Sequence, residues 1–234
     1  MNPTNFETLK EMIIRVAEAL GPELLASTAF VGGVTTGLLI TDAYTRQSVR
    51  ATDDVDLITS ALGYAQHAKF EEELRQRGFR DDMESDVIFR KCLGNLKVDF
   101  MPTDDTLGFT NRWYQSALTE AQDFELKPGL TIRLLSPVYF IGTKLEAWNG
   151  RGEGDLLCSR DLEDIFNLIN GRETLIEDIR GSEPALLQYI SDEFRKLTDE
   201  EDFDYLLQTT TNGDSARMTY LFDRITKIIG LYDE

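Results

Sequence analysis

The chain has 234 residues, 41% of them apolar and 28% charged, enough to bury a substantial core as one large domain or two small ones. It holds no apolar run near the ~20 residues that span a bilayer, and Met1 to Lys10 lack a basic-then-apolar secretory pattern. A cytoplasmic protein with no membrane partner is therefore expected. A formal net charge of −18 argues against broad, non-specific nucleic-acid binding, which draws its affinity from neutralised phosphates. It leaves room for a local basic cleft, or for metal ions that offset phosphate charge. No DNA-readout motif is present, and the two cysteines, Cys92 and Cys158, form neither a disulfide framework nor a metal-ligand spacing.

Apolar residues at Phe6, Leu9, Ile13, Ile14, Val16 and Leu20 recur near helical spacing and predict a helix from Asn5 to Leu20, ended by Gly21-Pro22. Thr28 to Val31 reads as a short buried strand. Gly32-Gly33 follows at once, and a helix from Val34 to about Ile40 is expected to start on these glycines. Thr41 to Thr52 is polar and reads as a loop. Asp54 to Thr59 alternates acid and apolar residues, which predicts a strand with Val55 and Leu57 toward a core. Ala65 to Arg77 reads as a helix closed by Gly78. Val87 to Arg90 and Leu96 to Met101 read as strands about a Gly94-Asn95 hairpin turn, and Phe124 to Leu126 with Leu130 to Arg133 as a second pair about Pro128-Gly129.

From Ser136 the character changes. Ser136-Pro137 resembles an N-cap followed by proline in the first helical position. Helices are expected at Val138 to Trp148, Arg160 to Ile169, Glu183 to Leu197 and Met218 to Leu231. The expected fold is α/β (α+β), with a small mixed-sheet domain over residues 1–135 and a helical C-terminal domain over 136–234.

Asp54 and Asp56 lie two apart on a predicted strand, so their side chains leave one face with Cα atoms roughly 7 Å apart. Two carboxylates so placed can grip one divalent ion or bridge a pair of ions ~4 Å apart. The same triplet also describes an exposed strand face with solvated acids. Asp99 strengthens the metal reading, because it alternates with apolar Val98 and Phe100 and would complete a three-carboxylate site if its strand lies beside that of Asp54. Oxygen-only ligands suit Mg²⁺ or Mn²⁺. Gly32 and Gly33, between strand and helix, would let backbone N–H groups approach a phosphate, and Thr35 or Thr36 could add a hydroxyl. A phosphate-suited turn, then a paired-acid strand, then a third acid is the order that metal-assisted nucleotidyl transfer needs.

At these residues the sequence resembles a known group. Phe30-Val31-Gly32-Gly33 with Asp54-Val55-Asp56-Leu57 resembles the h-G-[G/S]…D-h-[D/E]-h pattern of the polymerase-beta-like nucleotidyltransferase superfamily. Arg50 to Leu57 resembles the R-x-T-x-D-[I/V]-D-h form of the AbiEii-like and MenT-like toxin families. A second block is also similar to theirs: Gly142 to Trp148, then Arg151, then Arg160-Asp161-Leu162-Glu163-Asp164-Ile165. The resemblance covers about Phe30 to Leu168. It implies a nucleotidyltransferase domain that moves a nucleoside monophosphate from an NTP to a hydroxyl, with Asp54, Asp56 and Asp99 as metal ligands. It further implies Lys144 as the residue that neutralises the triphosphate and Asp161 as the one that orients Lys144 or a neighbouring basic residue. Nucleotide contacts then fall to Gly32, Gly33, Thr35, Thr36, Arg50 and Lys144, with backbone groups prominent because Gly33 stands where many members have serine.

The toxin branch implies RNA, the 3′ end of tRNA in particular, as acceptor, and a cognate antitoxin protein as partner. Two other acceptor classes stay open: a small alcohol of aminoglycoside type, which the acidic chain favours, and a protein side chain. A non-catalytic toxin-like binding module is the alternative outside enzymology. Arg46, Arg50 and Arg90 are candidates for a basic rim. Trp113 and Tyr114 read either as base-stacking groups or as core, and His67 as a structural helix residue.

Overall fold

The structure is a computed structural model that describes residues 4–60, 64–85, 87, 89–103, 111–151 and 155–233. Ile88, part of the expected strand from Val87 to Arg90, lies outside the described residues. Helix α1 (Asn5–Ser27) opens on a reciprocal cap, in which the Thr4 hydroxyl accepts from Glu7 N and the Glu7 carboxylate from Thr4 N. It breaks at Gly21, whose φ of 65° no helix tolerates, and Pro22 begins a further turn. The expected stop is thus a kink. Strand β1 (Thr28–Val31) leads into a 3₁₀ turn (Gly33–Thr35) and the four-residue helix α2 (Thr36–Leu39), in place of one continuous helix from Val34. Helix α3 (Ala43–Gln47) interrupts the stretch expected to be a loop. Asp42 nucleates it, its carboxylate accepting from the N–H and the hydroxyl of Thr45 at 2.6 Å each.

Strand β2 (Asp54–Thr59), helix α4 (Tyr64–Gln76) and the two-residue strand β3 (Arg80–Asp81) follow. Strands β4 (Arg90–Leu93) and β5 (Leu96–Pro102) close on the expected turn, with Gly94 at φ 65°. A two-residue turn pairs the residues that flank it, here Leu93 with Leu96, so β4 begins where the sequence reading had ended its strand. Helix α5 (Tyr114–Thr119) precedes the hairpin of β6 (Gln122–Lys127) and β7 (Leu130–Leu134). Helices α6 (Pro137–Arg151), α7 (Arg160–Gly171), α8 (Leu175–Arg180), α9 (Pro184–Thr198), α10 (Phe203–Thr210) and α11 (Ser215–Gly230) complete the chain. The unexpected helices α5, α8 and α10 have six, six and eight residues, too few to show a repeating apolar face.

An N-terminal mixed α/β sheet region is therefore followed by a helical one. Internal contacts divide the chain into two compact units, one of residues up to Thr35 with Arg50–Ser136, the other of Thr36–Val49 with the chain from Pro137 on. The first holds a seven-stranded sheet in the order β3-β4-β5-β2-β1-β7-β6. Its centre is mixed: β2 runs antiparallel to β1 and parallel to β5, and β1 runs parallel to β7. Val55, Leu57 and Val98 are fully buried, and Phe100 takes the edges of Phe70 and Phe79 at centroid distances of 5.5 and 5.6 Å. In the second unit Phe166 packs against Phe194 and Phe203. Residues 36–49 are tied to that unit at Gly171, whose carbonyl accepts from Thr41 N and Asp42 N. A side chain there would sit 2.7 Å from Ile40 and 2.8 Å from Thr45. None of the described helices is long and apolar enough to cross a membrane.

Candidate functional site

Burial of Val55 and Leu57 on one face of β2 turns Asp54 and Asp56 to the other, where both are half-buried. Parallel pairing of β2 with β5 sets Asp56 directly beside Asp99. One carboxylate oxygen from each of Asp54, Asp56 and Asp99 lies within 4.8 Å of the other two. The arrangement expected if the two strands were neighbours is the arrangement observed. Asp54 also accepts a short hydrogen bond from the Thr52 hydroxyl.

Gly32 shapes the floor of this cluster. Its φ is 73°, and a Cβ built on it would fall 1.9 Å from Asp56 Oδ2. The first glycine of the pair thus makes room for an acidic side chain, in addition to bending the backbone.

Arg90 is the cation of the group. It faces Asp99 across the β4–β5 ladder, and its Nε and Nη2 donate to the two carboxylate oxygens at 2.7 Å each. Nη2 also lies 3.9 Å from Asp54 Oδ2. The hydrogen bonds to Asp99, opposed by burial and reinforced by the charges of Asp99, Asp54 and Asp56, hold the guanidinium above even its usual high pKa. Asp99 is 5% exposed, so it is a buried acid with both oxygens engaged by one fork.

The donor set fits a divalent ion. It is oxygen-only, and its spread is close to the ~4 Å that opposite ligands of one Mg²⁺ span, or that separates paired ions. Arg90 forks onto Asp99 and feels the charges of Asp54 and Asp56 as well.

The other sequence-predicted residues are placed as follows. Gly33 is buried in the 3₁₀ turn. Thr35 N donates to the Gly32 carbonyl at 3.1 Å and its hydroxyl to the same oxygen at 2.8 Å. Thr36 Oγ1 is buried without a hydrogen-bond partner. Arg50 is half-buried, its Nη1 3.5 Å from the Ala51 carbonyl. Arg46 donates to the Ile40 carbonyl at 2.6 and 3.1 Å. Trp113 and Tyr114 are buried. His67 lies 3.6 Å from Glu71, one turn along α4.

A second charged group occupies the helical unit. Lys144 Nζ on α6 donates to Asp161 Oδ1 at 3.0 Å and Asp164 Oδ2 at 2.8 Å, both on α7. Asp161 Oδ2 is also 2.9 Å from Arg151 Nη1. Asp161 and Asp164, three apart on α7, are 3% and 1% exposed. Burial disfavours the Lys144 charge, but Asp164 and Asp161 overcome this and raise its pKa. Lys144 lies midway along α6, beyond the reach of the helix N-terminus, so the two carboxylates are what set its charge. The family resemblance implies this contact for Asp161 and gives Asp164 no role. Its spacing from Asp161 on one helix face was the available signal.

Compared with known proteins, the chain matches no family model and no curated sequence.

Proposed function

We propose that this chain is a metal-dependent nucleotidyltransferase of the polymerase-beta-like superfamily, in its AbiEii-like or MenT-like branch. It transfers a nucleoside monophosphate from an NTP to an acceptor hydroxyl. The observation that carries the reading is the convergence of Asp54, Asp56 and Asp99 through the parallel register of β2 and β5. Together they form an oxygen-only donor set of the kind that suits a hard divalent ion.

Asp54 and Asp56 are the residues that would hold Mg²⁺ or Mn²⁺. Bound there, such an ion would supply positive charge against the triphosphate and the departing pyrophosphate. The acceptor oxygen bonds to the α-phosphorus as the bond from that phosphorus to the bridging oxygen breaks. Pyrophosphate leaves with the electron pair, and the acceptor proton passes to a base, for which Asp99 is the third carboxylate of the group. Gly32 keeps the Asp56 carboxylate in place by having no side chain. Phosphate neutralisation by Lys144 and orientation by Asp161 are assigned by the family resemblance alone.

The same resemblance assigns RNA, at the tRNA 3′ end, as acceptor and a cognate antitoxin as partner. The net charge of −18 supports a second reading, a cationic small alcohol of aminoglycoside type, since an acidic protein attracts a cation and repels a polyanion. Incorporation of labelled NTP into tRNA, an aminoglycoside or a protein acceptor tests both readings. Wild type is expected to label one class in the presence of Mg²⁺, and Asp54→Ala and Asp56→Ala to lose at least ~10³-fold, the scale of removing a main electrostatic group. Equal labelling by wild type and both variants sinks the mechanism.

A further inference from the structure

We propose that a cavity within the helical unit binds a single polyhydroxylated sugar ring that carries no negative charge, with Asn167 as its central contact. Ser159, the N-cap of α7, is followed at intervals of four by Glu163 and Asn167, so the three share one face of that helix. Leu206, Thr209 and Thr210 share a face of α10 in the same way. All six residues line one cavity of about 200 Å³. Asn167 is 6% exposed, yet no described residue donates to its carboxamide or accepts from it. A carboxamide buried mid-helix without a partner is unfavourable to the fold, and it calls for a group that meets it from the cavity.

The lining sets the chemistry of the ligand. Asn167 can both donate and accept. Ser159 Oγ accepts from Leu162 N at 3.2 Å and keeps its proton to give outward. Thr209 gives its proton to the Leu206 carbonyl at 2.9 Å and is left to accept. Thr210 can do either. A sugar hydroxyl donates and accepts on one oxygen, as water does, and a ring brings several hydroxyls at fixed spacing. Glu163 is the charged residue of the described lining, and with a net charge of −18 on the chain it disfavours phosphates and other anions. The described lining holds no aromatic ring, so a flat nucleobase would find no stacking partner. The volume matches about seven waters at ~30 Å³ each, which suits one ring and is too small for a nucleotide.

Ligand-observed NMR titration of the full chain with glucose, glucosamine, ribose and myo-inositol tests the proposal, with glucose 6-phosphate as the anion. EDTA is present, so nothing measured depends on the metal centre. Wild type is expected to bind at least one of the four saturably, and glucose 6-phosphate at least ~10-fold more weakly. Asn167→Leu keeps the size of the side chain and removes its polar atoms. It is expected to weaken binding at least ~10-fold, the scale of one or two lost hydrogen bonds. Its thermal midpoint is expected to stay level with wild type or to rise, since no bond within the protein is lost. Thr210→Val is expected to weaken binding about threefold, and carries the test if the leucine variant does not fold. A lower midpoint with binding retained would show that the carboxamide serves the fold alone, and overturns the proposal. So does the absence of saturable binding of any of the four by wild type, equal binding by wild type and both variants, or tighter binding of glucose 6-phosphate. Each of these results leaves the metal centre standing.

Discussion

Two clusters of charge in this molecule are built from the same parts and differ in how deeply their acids are buried. In the sheet unit Asp54, Asp56 and Asp99 gather near Arg90, and two of the acids are half-buried. In the helical unit two aspartates meet Lys144 and Arg151, and the acids are almost fully buried. A fully buried pair is held by the fold and is costly to break from one side. Half-buried acids within reach of solvent are the easier ones for an ion to reach.

The largest expected effect breaks the buried cluster. Lys144→Met leaves Asp161 and Asp164 facing each other in the interior, and is expected to cost ~3–5 kcal/mol in urea unfolding. Asp56→Asn, at a half-buried strand position, is expected to cost less, ~1 kcal/mol. The reverse order, a stable lysine variant and an unstable asparagine variant, would exchange the two assignments.

Gly171→Ala and Gly32→Ala compare what a single methyl does in each unit. At Gly171 the methyl would press on Ile40 and Thr45, and a loss of ~1–3 kcal/mol in stability is expected from overpacking. At Gly32 it would displace the Asp56 carboxylate, so Mn²⁺ affinity is expected to fall at least tenfold, while stability falls by more than the ~1–2 kcal/mol that an L-residue at positive φ costs. In an Asp56→Ala background the carboxylate contact is gone, though Cβ stays 2.9 Å away, and the loss should shrink toward that backbone cost. A full, undiminished stability loss in that background would show that Gly32 serves the turn alone.

The contrast between the clusters was partly legible in the sequence. Asp54, Asp56 and Asp99 could be read from alternation, since Val55, Leu57, Val98 and Phe100 fix which side each acid leaves. Their meeting depended on strand order, which a single sequence does not encode locally. Arg90 was legible only as one basic residue of a rim, because its placement opposite Asp99 follows from counting back from the Gly94-Asn95 turn. The helical C-terminal region was visible from its apolar periodicity and from Pro137. The attachment of residues 36–49 to that region was not. It depends on Gly171, some 130 positions away, and on an Asp42 cap that reads as ordinary loop chemistry.

The smallest expected effect is an invariance with pH. Lys144 has a raised pKa in the folded protein, so its contribution is complete below the unfolded value of ~10.4 and is lost only as pH rises through the higher folded value. Between pH 7 and pH 9 the stability difference between wild type and Lys144→Met should therefore stay constant within error, measured by urea unfolding at each pH. Had burial outweighed the two carboxylates, the folded pKa would lie below ~10.4, and wild type would gain stability relative to the variant as pH rose through it. A constant difference means that Asp161 and Asp164 hold the lysine charged. That is the property distinguishing this closed cluster from the one on the sheet, where Asp54 and Asp56 are only half-buried.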